Sequence, residues 1–166
     1  GKPLSQILGK SLIQRTYENA LRAKSLDLVV VVTDDERILE HVRSFGGKAL
    51  MSGEHPTGTD RIAWAAKNHF KEAEVIVNIQ GDEPLLEPSV IDELVAALKR
   101  DKCVVSTPVS GIKNKEDLSD PNVVKCVFDL NQRALYFSRQ MIPGSKNLEQ
   151  TSHGYRHLGV YAFKAS

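Results

Sequence analysis

The stretch "VNIQGDEPLLEP", Val77 to Pro88, closes a strand-like run with Gln80, Gly81, Asp82 and Glu83. A carboxylate at a strand end is a hard oxygen ligand suited to Mg²⁺, especially where substrate phosphates complete the coordination. Asp82 is therefore the candidate metal ligand, with Gln80 delivering an amide to the same rim. Gly81 permits a tight turn or a close approach to a ligand, and Pro84 fixes the exit. An aspartate that merely caps the following turn would leave the same letters. A second pair of carboxylates, Asp34 and Asp35, ends the run "VVVVTDD". In "TGTDR", Thr57 to Arg61, small hydroxyl residues and Gly58 precede a helix and can form a nest of N–H donors. Arg61 can hydrogen-bond a base or a phosphate. The competing reading is a plain helix start, with Thr59 as the cap and Asp60 favouring the first turn. Arg139 follows "ALYFS" and either pairs bidentately with a carboxylate or lies idle on the surface. His157 sits in "YRHLGVYAF", where alternation puts it on one face with Gly159 and Tyr161; a lone strand histidine is usually structural.

Groups of this kind need strands whose ends meet at one rim. Residues 11–25 read as an amphipathic helix with Leu12, Ile13, Tyr17, Ala20 and Leu21 near one face. Residues 27–35 form a β-branched run whose unbroken apolar character fits a strand covered on both sides. A helix over "DERILEHVRSFGG", stopped by Gly46-Gly47, leads to a short strand at Lys48 to Met51. "DRIAWAAKNHF" resumes helix, "EVIVNIQ" is a second buried strand, and "EPSVIDELVAALKRD" is a helix with Pro88 in its first turn. Strands are expected over "CVVSTPVS", "VVKCVFD", "ALYFSR" and "YRHLGVYAFK", with "LNQR" as a hairpin turn and a long polar loop over 141–154. Alternating helices and strands predict a mostly parallel sheet flanked by helices, with ligands at the carboxyl ends of the strands.

The 166 residues suit one domain with a real core. A hydrophobic fraction of 41% and a charged fraction of 26% are ordinary for a globular protein. A net charge of +1 gives no general pull toward nucleic acid or an anionic membrane. No apolar run approaches the ~20 residues that span a bilayer. The two cysteines, Cys103 and Cys126, lie in apolar strand-like runs and read as buried thiols in a reducing compartment. No Cys/His spacing suggests zinc.

Taken together, "GKPL", "TDDERI", "TGTDRIA", "VIVNIQGDEPLL", "DPNVVKCVFD", "ALYFSRQMIP" and "RHLGVYAF" closely resemble the 3-deoxy-manno-octulosonate (Kdo) cytidylyltransferases, from Gly1 to about Ala165. The resemblance implies transfer of CMP from CTP to Kdo with loss of pyrophosphate, for lipopolysaccharide synthesis. It implies a Rossmann-like nucleotidyltransferase fold, a mostly parallel sheet with a β-rich C-terminal part, Mg²⁺, a homodimer and a cytoplasmic location. Carried onto this chain, Asp82 is the magnesium ligand and Lys2 faces the CTP phosphates. Arg61 contacts cytosine, beside Gly58 and Thr59. Gln80, Arg139, His157 and Tyr161 contact Kdo. Thr57 stands where a serine is common. The family also carries a Gly/Arg-containing strand-loop ahead of "GKPL", and helices with a second metal-binding aspartate beyond the position of Ser166. Residues 1–166 are thus expected to be a single nucleotidyltransferase domain clipped at both ends. The rival readings are a cytidylyltransferase for another acid sugar such as sialate, a non-catalytic nucleotide-binding fragment, and a metal-dependent glycosyltransferase.

Overall fold

The computed structural model describes residues 2–100, 103–142, 144 and 154–165. It is an α/β structure that divides into two compact units, Gly1–Ser106 with Val160–Ser166, and Thr107–Gly159. The first unit opens with a 3₁₀ turn, Lys2–Leu4, and a short hairpin of β1 (Gln6–Ile7) and β2 (Lys10–Ser11). Helix α1 (Leu12–Ala20) is capped by Ser11, whose Oγ accepts from the Gln14 N–H, and it buries Leu12, Ile13, Tyr17 and Ala20. Leu21, expected on that face, is instead exposed, because the helix has already ended there and Leu21 is its C-cap.

The run at 27–35 contributes only three strand residues, β3 (Val31–Thr33). Helix α2 (Glu36–Ser44) buries Leu39 and Val42 and stops at Gly46, whose φ of +80° suits only a residue without Cβ strain. Strand β4 (Ala49–Met51) then pairs in parallel with β3. Helix α3 (Gly58–His69) leads to β5 (Val75–Asn78), and α4 (Pro88–Arg100) begins on Pro88 as expected. The single strand expected over 103–110 is two, β6 (Val105–Ser106) and β7 (Val109–Gly111). Pro108, which has no N–H for a ladder, lies between them. Helix α5 (Lys115–Ser119), β8 (Lys125–Phe128), β9 (Ala134–Ser138), β10 (Tyr155–His157) and β11 (Tyr161–Lys164) complete the described chain.

The first unit carries a three-stranded sheet ordered β5-β11-β6. Helix α4 covers it, with Ile91, Leu94 and Leu98 packed against Val160 and Ala162. Both ladders of this sheet are antiparallel, so β5 and β6 run the same way but are kept apart by β11. Among the described residues the one parallel ladder is β3–β4, and none joins β3 to β5. Instead Val31 and Val32 of β3 and Val75 and Val77 of β5 line a cavity of about 730 Å³, together with Ile13 and Ile62.

The second unit is a four-stranded antiparallel sheet ordered β7-β10-β8-β9. The β8–β9 hairpin forms as the sequence predicts, with Lys125 opposite Ser138. Cys126 is buried in β8, whereas Cys103 is only partly buried and precedes β6 rather than lying in a strand. The segment "YRHLGVYAFK" is two strands in different sheets, so the alternation that placed His157 and Tyr161 on one face does not run through Leu158 to Val160. The polar loop expected over 141–154 lies mostly outside the described residues.

Candidate functional site

The turn after β5 is fixed against α1. The Thr16 hydroxyl donates to the Gly81 carbonyl at 3.1 Å, and a Cβ on Gly81 would stand 3.0 Å from Ile13 Cδ1. Close packing, rather than a left-handed backbone, is therefore what glycine supplies here. The Glu83 N–H closes the turn onto the Gln80 carbonyl at 3.1 Å, and the Asn19 amide donates to the carbonyls of Pro84 and Leu86. Asp82 is left at the apex, where Lys2 Nζ donates to its Oδ2 at 2.6 Å. Sequence placed these two residues 80 positions apart; the fold makes them an ion pair, with the lysine side chain 75% exposed and the aspartate 41%. The hydrogen bond to Asp82, and then its charge, hold the Lys2 amine above its ordinary pKa.

The start of α3 meets the end of β5. A Cβ on Gly58 would lie 3.8 Å from Gln80 Oε1, and Asn78 Nδ2 donates to Thr59 Oγ1 at 3.4 Å. The cap itself is Thr57, not Thr59: Thr57 Oγ1 accepts from the Asp60 N–H at 3.1 Å and donates to Asp60 Oδ2 at 2.7 Å. The helix begins at Gly58, two residues before the start expected at Asp60, which leaves the Thr59 hydroxyl to face β5. Arg61 reaches back to the carboxyl end of β3, donating from Nη2 to Asp34 Oδ2 at 2.5 Å. Its Nε is buried without a hydrogen-bond partner, and the residue lines the 730 Å³ cavity. The neighbouring carboxylate serves the fold: Asp35 caps α2 and is bridged by Arg37, whose hydrogen bonds hold its carboxyl pKa down to about 2. Tyr161 stands opposite Asn78 in the β11–β5 ladder and stacks on Phe163 with ring centroids 5.9 Å apart. The first unit thus gathers Lys2, Gly58, Thr59, Gln80, Asp82 and Tyr161 around the end of β5, with Arg61 tied to β3.

Arg139 and His157 belong to the second unit. Arg139 leaves the end of β9, and its Nη1 donates to the Pro121 carbonyl at 2.9 Å. His157 ends β10; its Nε2 is 2.8 Å from Thr107 Oγ1, and its ring meets Phe137 edge-on. Burial pushes the His157 pKa below its ordinary value. Three residues of these surroundings do not stand out in the sequence reading: Asn78, Thr107 and Lys125. Lys125 carries a usable signal, a cation inside the apolar run "VVKCVF"; the other two are common strand-end residues and carry none.

Among the described residues no three His, Cys, Asp or Glu side chains come together as a ready-made metal cage. A single strand-end carboxylate still fits Mg²⁺, which keeps several waters and takes its other ligands from phosphates. Lys2 occupies one oxygen of Asp82, and a carboxylate has a second. No described helix is long and apolar enough to cross a membrane.

The 3-deoxy-manno-octulosonate cytidylyltransferase of Chlamydia trachomatis serovar L2 is 50% identical over 166 residues, which cover 99% of this chain and 65% of that protein. The Chlamydia abortus protein of the same name is 51% identical over 168 residues, covering 100% of this chain and 65% of its own. The chain therefore spans about two thirds of the length of these curated relatives. A solved structure of CMP:2-keto-3-deoxy-manno-octonic acid synthetase complexed with CTP superposes with a TM-score of 0.90 at 39% identity, over 99% of this chain and 68% of that one. A 4-diphosphocytidyl-2C-methyl-D-erythritol synthase from Anaerococcus prevotii, 16% identical with a TM-score of 0.63, covers 99% of this chain and 66% of its own and shares the fold. The cytidylyltransferase family model matches residues 1–166; with the rim residues described above lying inside that match, this chain belongs to the cytidylyltransferase family.

Proposed function

We propose that the protein containing this chain activates 3-deoxy-D-manno-octulosonate with CTP, giving CMP-Kdo and pyrophosphate for lipopolysaccharide synthesis. One observation carries the reading: near-complete superposition, at 39% identity, on a CMP-Kdo synthetase structure complexed with CTP. The relatives of about 50% identity bear the corresponding name.

The anomeric hydroxyl of Kdo attacks the α-phosphorus of CTP; a P–O bond forms, the bond to the β-phosphate bridging oxygen breaks, and the hydroxyl proton is released. Lys2 faces the triphosphate as a point charge, and the Gly58-Thr59 backbone at the start of α3 supplies N–H donors. Arg61 contacts the cytosine ring, for which its unpartnered buried Nε is a donor in waiting. Gln80 and Tyr161 orient the sugar. Arg139 receives its carboxylate in two-point geometry, which fixes direction as well as charge, and His157 contacts the same substrate. Asp82 would hold Mg²⁺, which when bound neutralises phosphate charge that grows on the leaving pyrophosphate. Reading Asp82 as the ligand is supported by the exposed Lys2 pair, since exposed ion pairs are weak and easily exchanged.

The same proposal takes residues 1–166 as one nucleotidyltransferase domain in a cytoplasmic homodimer. It also takes the central sheet as mostly parallel. In support, β3 pairs in parallel with β4, and Val31 and Val32 of β3 line the same cavity as Val75 and Val77 of β5. The test is pyrophosphate release by the full-length protein with Mg²⁺ and CTP, using Kdo or sialate as acceptor. Release with Kdo and little with sialate is expected. Release with sialate alone, or none with either, would refute the assignment.

A further inference from the structure

Lys125 is the largest fully buried side chain among the described residues, with no exposed surface at all. It lies in β8, flanked by Ser138 of β9 on one side and Arg156 of β10 on the other. Its ammonium donates to three backbone carbonyls, Asp120 at 2.8 Å, Val123 at 2.7 Å and Arg139 at 2.8 Å. An ammonium has three N–H donors and no acceptor, so these bonds satisfy it completely. A buried charge is expensive unless fully hydrogen-bonded, and an apolar residue of similar length would fill the space without that requirement. The placement of the three acceptors gives the charge a purpose. Two belong to the loop just before β8; the third is the carbonyl of Arg139 itself. Between the two loop acceptors sits Pro121, whose carbonyl takes the hydrogen bond from Arg139 Nη1. The ammonium therefore fixes both the backbone from which the Arg139 side chain departs and the loop on which its guanidinium rests. On the other flank, the Val124 carbonyl accepts from the His157 N–H at 2.8 Å, so the same loop end is tied to β10.

We propose that Lys125 is a positioning residue for Arg139: its buried ammonium clamps the 120–123 loop to the end of β9 and so presets the guanidinium for a carboxylate ligand. One bond to Pro121 engages one of the five N–H donors of the guanidinium and leaves others for the ligand. The proposal rests on the reading of Arg139 as the Kdo contact, and its test separates the two.

Lys125→Met, Arg139→Ala and the double variant are made in the full-length protein. Steady-state kinetics are run with CTP and Kdo varied one at a time, and the Arg139 Nε resonance is followed by NMR in the wild type and in Lys125→Met. Lys125→Met should raise the Kdo KM by roughly tenfold while the CTP KM stays put, and should add nothing on the Arg139→Ala background. It should also broaden or shift the Arg139 Nε signal without Kdo present. A variant that only lowers kcat through loss of folded protein, or whose effect multiplies with that of Arg139→Ala, overturns the proposal. If Arg139→Ala leaves the Kdo KM unchanged, the Kdo reading of Arg139 fails; the NMR comparison then decides the positioning role by itself, and an unaltered Nε signal refutes it. Should Lys125→Met not fold, Lys125→Gln, which retains two donors, takes its place in every arm. Failure of both to fold would make the ammonium a requirement of the sheet as a whole and would overturn a role specific to Arg139.

Discussion

The two units hold their candidate arginines in opposite ways. Arg61 in the first unit is held side chain to side chain, by one carboxylate, Asp34, at the end of a neighbouring strand. Lys2 and Asp82 in the same unit are joined by one exposed ion pair. Arg139 in the second unit is held through main chain, its carbonyl on a buried ammonium and its guanidinium on a loop carbonyl. The difference matters for what each can bind. Exposed ion pairs contribute little and can be exchanged when a stronger partner arrives, which suits a polyanion entering with a metal. Arg139 is itself exposed, its guanidinium on one bond to the Pro121 carbonyl, but its backbone carbonyl is fixed by the buried Lys125 ammonium before any ligand comes, which suits a small acid that must be held in one orientation. On the proposed reading, the first unit is rearranged by its ligand and the second receives one.

The comparison breaks most visibly at Asp82. Asp82→Asn in the full-length protein should leave the fold intact by circular dichroism and lower turnover by about 10²-fold or more, because a charged metal ligand serves the transition state. Near-normal turnover of a folded variant at limiting Mg²⁺ would remove Asp82 from the metal site. A smaller effect is expected at the cap of α3. Thr57→Ala removes the acceptor for the Asp60 N–H and should cost about 1 kcal/mol of stability in denaturant unfolding, with the CTP KM rising more than the Kdo KM. No loss of stability would contradict the cap. The smallest effect belongs to His157. Burial lowers its pKa below 6.5, so the folded state binds the proton less readily than the unfolded chain. The stability gained from keeping this ring neutral is complete above pH 6.5 and is lost as pH falls through the lower folded value. Unfolding free energies measured on either side of that range, at about pH 7.5 and about pH 5.5, should differ less in His157→Gln than in the wild type. An identical difference would mean that another group titrates.

Much of this was legible in the sequence, and the rest was hidden for identifiable reasons. Amphipathic periods located α1 and α2, because burial of one face repeats every three or four residues. Pro88 and Asp60 marked helix starts by chemistry that acts locally. The splits at Pro108 and across Leu158 to Val160 were missed, since an apolar run reads the same whether it serves one sheet or two. The strand partners were also hidden: nothing in "YAFK" announces that β11 inserts antiparallel between β5 and β6. At the site, residue types and strand ends pointed to Asp82 and Arg61, while the roles of Lys2 and Tyr161 rested wholly on resemblance. The Lys2–Asp82 pair needed coordinates, because no local rule joins residues 80 positions apart. The two aspartates after β3 looked equivalent and are not: Asp35 is consumed by its helix cap, and Asp34 by Arg61.

The proposed division between a nucleotide side and an acid side is tested most directly by substituting the two arginines side by side. Arg61→Ala and Arg139→Lys in the full-length protein are assayed for pyrophosphate release with CTP and Kdo varied in turn. Crossed effects are predicted: Arg61→Ala raises the CTP KM and spares that for Kdo, while Arg139→Lys raises the Kdo KM about tenfold and spares that for CTP. If both constants rise together in each variant, or if the assignments are reversed, the division of labour is wrong.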